Sequence, residues 1–403
     1  MKKIFSYILI VILILIQVCI EACQNSNNSL ELIQIINIEA GFKNQKELFL
    51  SDIADSIGYV KLETTPECLI GNGNALIRDN KIFFKMSNPD RILIFDMDGK
   101  YISKLDKIGK GPGEYTGIFQ WTVSPRGERL AFSDMATQTI YLYTSEGDFL
   151  NKTRGTFMWY SGFYFRNDEE LLVCTREVLN QSPDFPVILQ YTDNLTVKDT
   201  ILSKEWIGVS TLPPGLPGIH ISFYVHQRNF FYKEMAADTL YELDDKFKLE
   251  PRFVFDLGDK SMDLNAAHSP NKDAYYQLHS FCETKDYFSF VVGYHKKMTL
   301  MYFDKTSVEL FSLPNNYSEY GDRNQVFKPK NDLDGFDYPF NTYDTYDDKW
   351  TSLHHIVYLK ELEKEGFFSK ASLLNHPNRA RLAELVKASH LNDNPIIRIL
   401  YLK

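Results

Sequence analysis

Ile94-Phe95-Asp96-Met97-Asp98-Gly99-Lys100-Tyr101-Ile102, followed by Gly109-Lys110-Gly111-Pro112-Gly113-Glu114-Tyr115, is the stretch on which the fold turns. Its first half sets two apolar arms around a polar turn, and Asp98-Gly99 suits the positive φ of a tight hairpin. The same frame returns at Tyr143-Thr144-Ser145-Glu146-Gly147-Asp148-Phe149 and at Tyr191-Thr192-Asp193-Asn194-Leu195-Thr196-Val197, each time after 48 residues. Looser copies start at Leu243 and Tyr302.

A second hairpin precedes each copy. Its turns are read at Asp79-Asn80, Arg126-Gly127, Asn167-Asp168, Gln227-Arg228, Thr284-Lys285 and Asp347-Asp348. The count is six first hairpins and five second ones. A period of about 50 residues with two hairpins per unit is the sequence pattern of propeller blades. The missing sixth hairpin has a source in the chain ends. Residues 57–62 and 396–402 are unpaired strand patterns, and pairing them closes a ring and removes two open edges. The reading is an all-β, six-bladed β-propeller of four-stranded blades. Residues 354–365 and 377–391 read as helices inserted in the last blade, with Asn375 as N-cap and Pro377 in the first turn.

Three motifs carry a family resemblance over nearly the whole chain. They are the 94–115 stretch, Ala54-Asp55-Ser56-Ile57-Gly58-Tyr59-Val60-Lys61-Leu62-Glu63-Thr64-Thr65, and the closing Asn394-Pro395-Ile396-Ile397-Arg398-Ile399-Leu400-Tyr401-Leu402-Lys403. The sequence resembles the six-bladed β-propeller lipoproteins of Bacteroidetes, relatives of the NHL-repeat propellers. The resemblance implies the same ring and a cell-envelope location. None of the three motifs is catalytic.

The N-terminus is a targeting segment. Met1-Lys2-Lys3 is basic, residues 4–20 are nearly all apolar, and Ala22-Cys23 precedes a polar run. The resemblance makes residues 1–22 a lipoprotein signal, with Cys23 the lipidated first residue of the mature chain. The other reading of this segment is an uncleaved spanning helix. Both hold the body to a membrane outside the cytoplasm. Residues 23–44 are assigned to a polar tether and residues 45–403 to the propeller.

Composition supports a packed β-rich body. Of 403 residues, 44% are hydrophobic and 14% aromatic. The net charge of −9 comes without long basic runs, which argues against nucleic acid as a partner. After Cys23 only Cys68, Cys174 and Cys282 remain, an odd and scattered set that reads as free thiols rather than a disulfide framework.

Candidate chemistry is sparse. Gly109, Gly111, Pro112 and Gly113 lack the order of a phosphate loop and read as a tight structural turn. Glu114 and Tyr115 either line the mouth of the central channel or lock this loop through hydrogen bonds, and the lock is favoured. Asp332, Asp334 and Tyr338 form an acidic, aromatic stretch before the last first strand. They are expected to share a funnel with Glu114 and Tyr115 and to bind a cation, a basic group or sugar hydroxyls. No cofactor is expected; a divalent cation is the one such group the acids suit. The nine histidines make no metal-ligating spacing, and no nucleophile elbow is present. The leading reading is a monomeric, membrane-anchored propeller that binds a small molecule, glycan or protein without catalysis. The alternative is an extracytoplasmic hydrolase or lyase acting on a glycan or lactone, whose site would be assembled from several blades.

Overall fold

The computed structural model describes residues 33–155, 160–175, 186–202, 222–263, 266, 271–319, 329–336, 342–344, 348–369 and 377–403. The apolar leader with Cys23, Tyr338 and the Asn375 cap lie outside the described residues. A compact body runs from Ile36 to Lys403; of the unit Met1–Ile35 only residues 33–35 are described. Among the described residues no helix is long and apolar enough to cross a membrane.

The body opens with the end of β1 (Gln34–Asn37), helix α1 (Ile38–Lys43), helix α2 (Leu50–Ile53) and β2 (Ala54–Lys61). Six antiparallel sheets then stand in a ring. Blade 1 is β3 (Gly73–Arg78), β4 (Lys81–Met86), β5 (Arg91–Asp96) and β6 (Tyr101–Leu105). Blade 2 is β7 (Trp121–Val123), β8 (Arg129–Asp134), β9 (Thr139–Thr144) and β10 (Phe149–Arg154). Blade 3 is β11 (Tyr160–Phe165), β12 (Leu171–Thr175), β13 (Pro186–Tyr191) and β14 (Val197–Leu202). Blade 4 is β15 (Ser222–His226), β16 (Asn229–Lys233), β17 (Thr239–Leu243) and β18 (Leu249–Asp256). Blade 5 is β19 (Gln277–Glu283), β20 (Tyr287–Tyr294), β21 (Lys297–Asp304) and β22 (Glu309–Glu319). Blade 6 holds β23 (Thr342–Asp344), β24 (Lys349–His354) and the last strand, β25 (Ile396–Leu402), with β2 added outside β25.

The ring closes as the hairpin count requires. β2 pairs antiparallel with β25 from Ala54↔Leu402 to Lys61↔Ile396. The repeated frame also has a physical cause. The residue that opens its turn is Asp96, Thr144, Thr192, Asp244 or Asp304, and in every copy that side-chain oxygen accepts a backbone N–H from the turn. For Asp96 the donors are the Asp98 and Lys100 amides, at 3.0 and 2.8 Å. The middle strands read as unbroken apolar runs because both their faces meet a neighbouring blade. Ile92, Leu93, Ile94 and Phe95 are all fully buried. Aromatic stacking fills the gaps between blades, as at Phe253 and Phe288, whose ring centroids are 4.5 Å apart.

Two expectations about extent change. The body begins at Ile36, not at residue 45, because Ile36 and Ile38 are buried in the core shared by blades 4 and 5. From there the segment crosses the outer edge of blade 5, where Asn44 and Lys46 bond to Ser312. The inserted helices are also shorter than read. His354 belongs to β24, paired with Ile396, and helix α3 is Ile356–Lys364. Helix α4 is Pro377–Lys387 and passes into a turn at Ser389, whose amide reaches back to Val386. Both helices pack through Ile356, Leu359, Leu382 and Val386 onto Phe336 and Ile396.

Candidate functional site

The antiparallel order of each blade gives the ring two ends. First strands finish at the turn end, where both hairpin turns of a blade lie. The segments that link one blade to the next lie at the other, linker end. First strands of neighbouring blades abut, as β15 does β19, so residues at their last positions approach one another although they are distant in sequence.

Three such residues meet at the turn end. His226 is the last residue of β15, Glu283 the last of β19, and Asp348 stands in the turn before β24. His226 Nδ1 lies 3.8 Å from Asp348 Oδ1, so blades 4 and 6 approach each other past blade 5. Glu283 is almost fully buried and is held on three sides. Lys305 Nζ is 3.0 Å away, Arg252 Nη2 is 3.6 Å away, and the Tyr224 hydroxyl donates to it at 2.9 Å. Lys305 also donates to the Thr284 carbonyl at 2.6 Å. Tyr224 stays a protonated donor because burial, and then the Glu283 charge, raise its pKa well above the phenol value.

His226 is buried, and burial is the main force that pulls its pKa below the ordinary imidazole value. Glu283 opposes the shift, while Lys305 and Arg252 add to it. The ring is therefore neutral near pH 7, with one donor and one acceptor nitrogen. A neutral imidazole beside a partly exposed carboxylate, with a guanidinium and an ammonium behind, can receive a hydroxyl or orient a proton. Among the described residues no three His, Cys, Asp or Glu side chains stand close enough to hold a metal ion.

Of the site residues singled out from the sequence, those that are described sit at the linker end. Glu114 folds back over its own loop and accepts from the Gly111 amide at 2.7 Å. Tyr115 is fully buried, and its hydroxyl donates to the Asp90 carbonyl at 3.1 Å. Of the three loop glycines only Gly113 takes a positive φ, +73°; a side chain at Gly109 would instead overlap the Glu114 carboxylate. Asp332 accepts from the Ser51 amide at 3.0 Å and the Ser51 hydroxyl at 2.5 Å. Asp334 is fully buried against Arg398 and the Tyr59 hydroxyl. The structure brings Asp332 and Asp334 into one loop and joins neither directly to Glu114 or Tyr115. The turn-end residues were missed as a site, yet each flanks or forms part of a first-hairpin turn that the repeat had located.

Comparison with known proteins follows the fold. No curated protein matches the sequence. A protein of Bacteroides fragilis described as exported is similar in structure, with a TM-score of 0.61 at 18% identity over 92% of this chain and 99% of its own. A DUF4221 family member from Bacteroides vulgatus gives 0.45 at 11% identity, over 68% and 88% of the two chains. Virginiamycin B lyase from Staphylococcus aureus gives 0.37 at 12%, over 64% and 73%. The match that defines kinship is to a family model spanning residues 33–401, and by it the chain belongs to the family described as Domain of unknown function (DUF4934).

Proposed function

We propose that this protein is a lipid-anchored propeller of the cell envelope, related to NHL-repeat propellers, that binds a small polar ligand at the turn end of its ring without catalysis. The basic, apolar and Ala22-Cys23 sequence supports the anchor, and the exported description of the Bacteroides fragilis relative supports the location. The observation that carries the binding reading is the meeting of His226, Glu283 and Asp348 from three blades. Glu283 is committed to Lys305, Arg252 and Tyr224, so it positions its neighbours. His226, Asp348 and the part-exposed Arg252 supply donor and acceptor edges that suit sugar hydroxyls. The linker-end acids Glu114, Asp332 and Asp334 have internal partners that commit them to the fold.

The test is a thermal-shift screen of the full chain in detergent against mono- and oligosaccharides, with and without divalent metal. A ligand at 100 times its Kd adds about 2.7 kcal/mol of stability. His226→Ala and Asp348→Ala should each remove the shift. A ligand whose shift survives both changes binds elsewhere. The pairing of His226 with Asp348 favours one second reading, a general base for hydrolysis or elimination. Turnover of a glycan or lactone that His226→Gln abolishes, with binding retained, would establish that reading in place of the first.

A further inference from the structure

At the linker end, the inserted helices cover a buried charge cluster that does not balance. Among the described residues it holds one carboxylate, Asp334, and two guanidinium groups, Arg398 and Arg379. Asp334 is saturated. Its Oδ2 faces Arg398 Nε at 3.0 Å and accepts from the Tyr59 hydroxyl. Its Oδ1 accepts from Arg398 Nη2 at 3.1 Å, Asn331 Nδ2 at 2.5 Å and the Phe336 amide at 2.9 Å. Nothing remains for Arg379.

Arg379 is nonetheless only 2% exposed. Its Nη2 donates to the Phe367 carbonyl, and its guanidinium lies over the Phe367 ring, 3.8 Å from the centroid. Nε and Nη1 are buried and have no hydrogen-bond partner among the described residues. The other described titratable groups of the cluster add no negative charge. Burial and the Asp334 charge keep Tyr59 protonated, and burial with the Arg398 charge keeps His354 neutral. Burial also pulls the Arg379 pKa below its ordinary value, with Asp334 and Tyr59 opposing. The position worsens the imbalance, because the first turn of helix α4 already carries positive potential. A stacked structural arginine accounts for the Phe367 contacts. It does not account for buried donors without acceptors, which cost stability when left unmade.

We propose that Arg379 is the receptor of an oxyanion site, and that a carboxylate or phosphate group bound to its Nε and Nη1 completes the cluster. Guanidinium is the side chain suited to such groups, since it stays charged and presents its donors in a plane. The site lies at the opposite end of the ring from His226 and Asp348 and does not depend on their role.

The test uses the full chain in detergent after exhaustive dialysis against chloride. Melting is compared in chloride, inorganic phosphate and acetate at matched ionic strength, for the wild type, Arg379→Met and Arg379→Lys. We expect phosphate or acetate to raise the wild-type Tm by a few degrees, Arg379→Lys to lose most of that shift and Arg379→Met all of it. In chloride alone Arg379→Met should melt no lower than Arg379→Lys, because it removes a buried charge with two donors left unmade. Acetate acting alone identifies a carboxylate ligand, and phosphate acting alone a phosphate ligand. The proposal is overturned if neither anion shifts the wild type or if the variants shift equally with it. Should Arg379→Met not fold, Arg379→Lys decides: an undiminished shift overturns the site.

Discussion

Asp334 shows how far a residue's meaning depends on its surroundings. In the sequence it is one acid of a surface-like turn, Asp332-Leu333-Asp334-Gly335. In the fold it is the buried counter-ion of Arg398, which stands in the middle of the closing strand. Asp334→Asn leaves that guanidinium buried without its charge partner, which typically costs about 3–5 kcal/mol. Urea unfolding should report the loss, and a variant within about 1 kcal/mol of the wild type would contradict the assignment. His354, in the same region, gives stability a pH dependence of known sign. Burial foremost, then the Arg398 charge, pushes its pKa down to about 3 from 6.5. Between these values the unfolded chain binds a proton that the folded chain refuses, so stability falls as pH drops from 6.5 toward 3. At pH 5 the penalty is on the order of 2 kcal/mol. Relative to His354→Gln, the wild type should lose stability between pH 6.5 and 4.5; parallel pH profiles would refute this.

At the scale of elements, β25 carries the closure. It is paired on both sides, by β2 from the start of the body and by β24 from its own blade. Deleting residues 394–403 frees two long apolar edges at once. We predict aggregation or a broad, non-cooperative melt by calorimetry, and a truncated chain that melts like the parent would show that the closure is dispensable. The second hairpins illustrate why the repeat could be read at all. Each depends on a local bond from Asp or Thr to its own turn, so the requirement recurs at the same place in every copy. The inserted helices were less legible at their ends. His354 has a helix on one side and a strand partner on the other, and pairing with Ile396 decides for the strand.

For the whole molecule, attachment is predicted to depend on Cys23. The proposed lipid anchor would carry more than one acyl chain, and two chains anchor stably where one does not. Cys23→Ala should abolish metabolic lipid labelling and leave the protein uncleaved or released; labelling that persists, or moves to Cys19, would reassign the anchor. What the sequence by itself determined is the ring: six units, two hairpins in five of them, and in the sixth one hairpin and a closing pair from opposite ends of the chain. Those features rest on turn chemistry and periodicity, which act over a few residues and leave a local trace. Only the tertiary structure decided the charge clusters. His226, Glu283 and Asp348 come from three blades, and Arg379 meets the Asp334–Arg398 pair beneath an insertion. Groups so far apart in the chain leave no shared spacing. Whether a polar side chain faces water, a partner or neither depends on how the blades and helices pack around it.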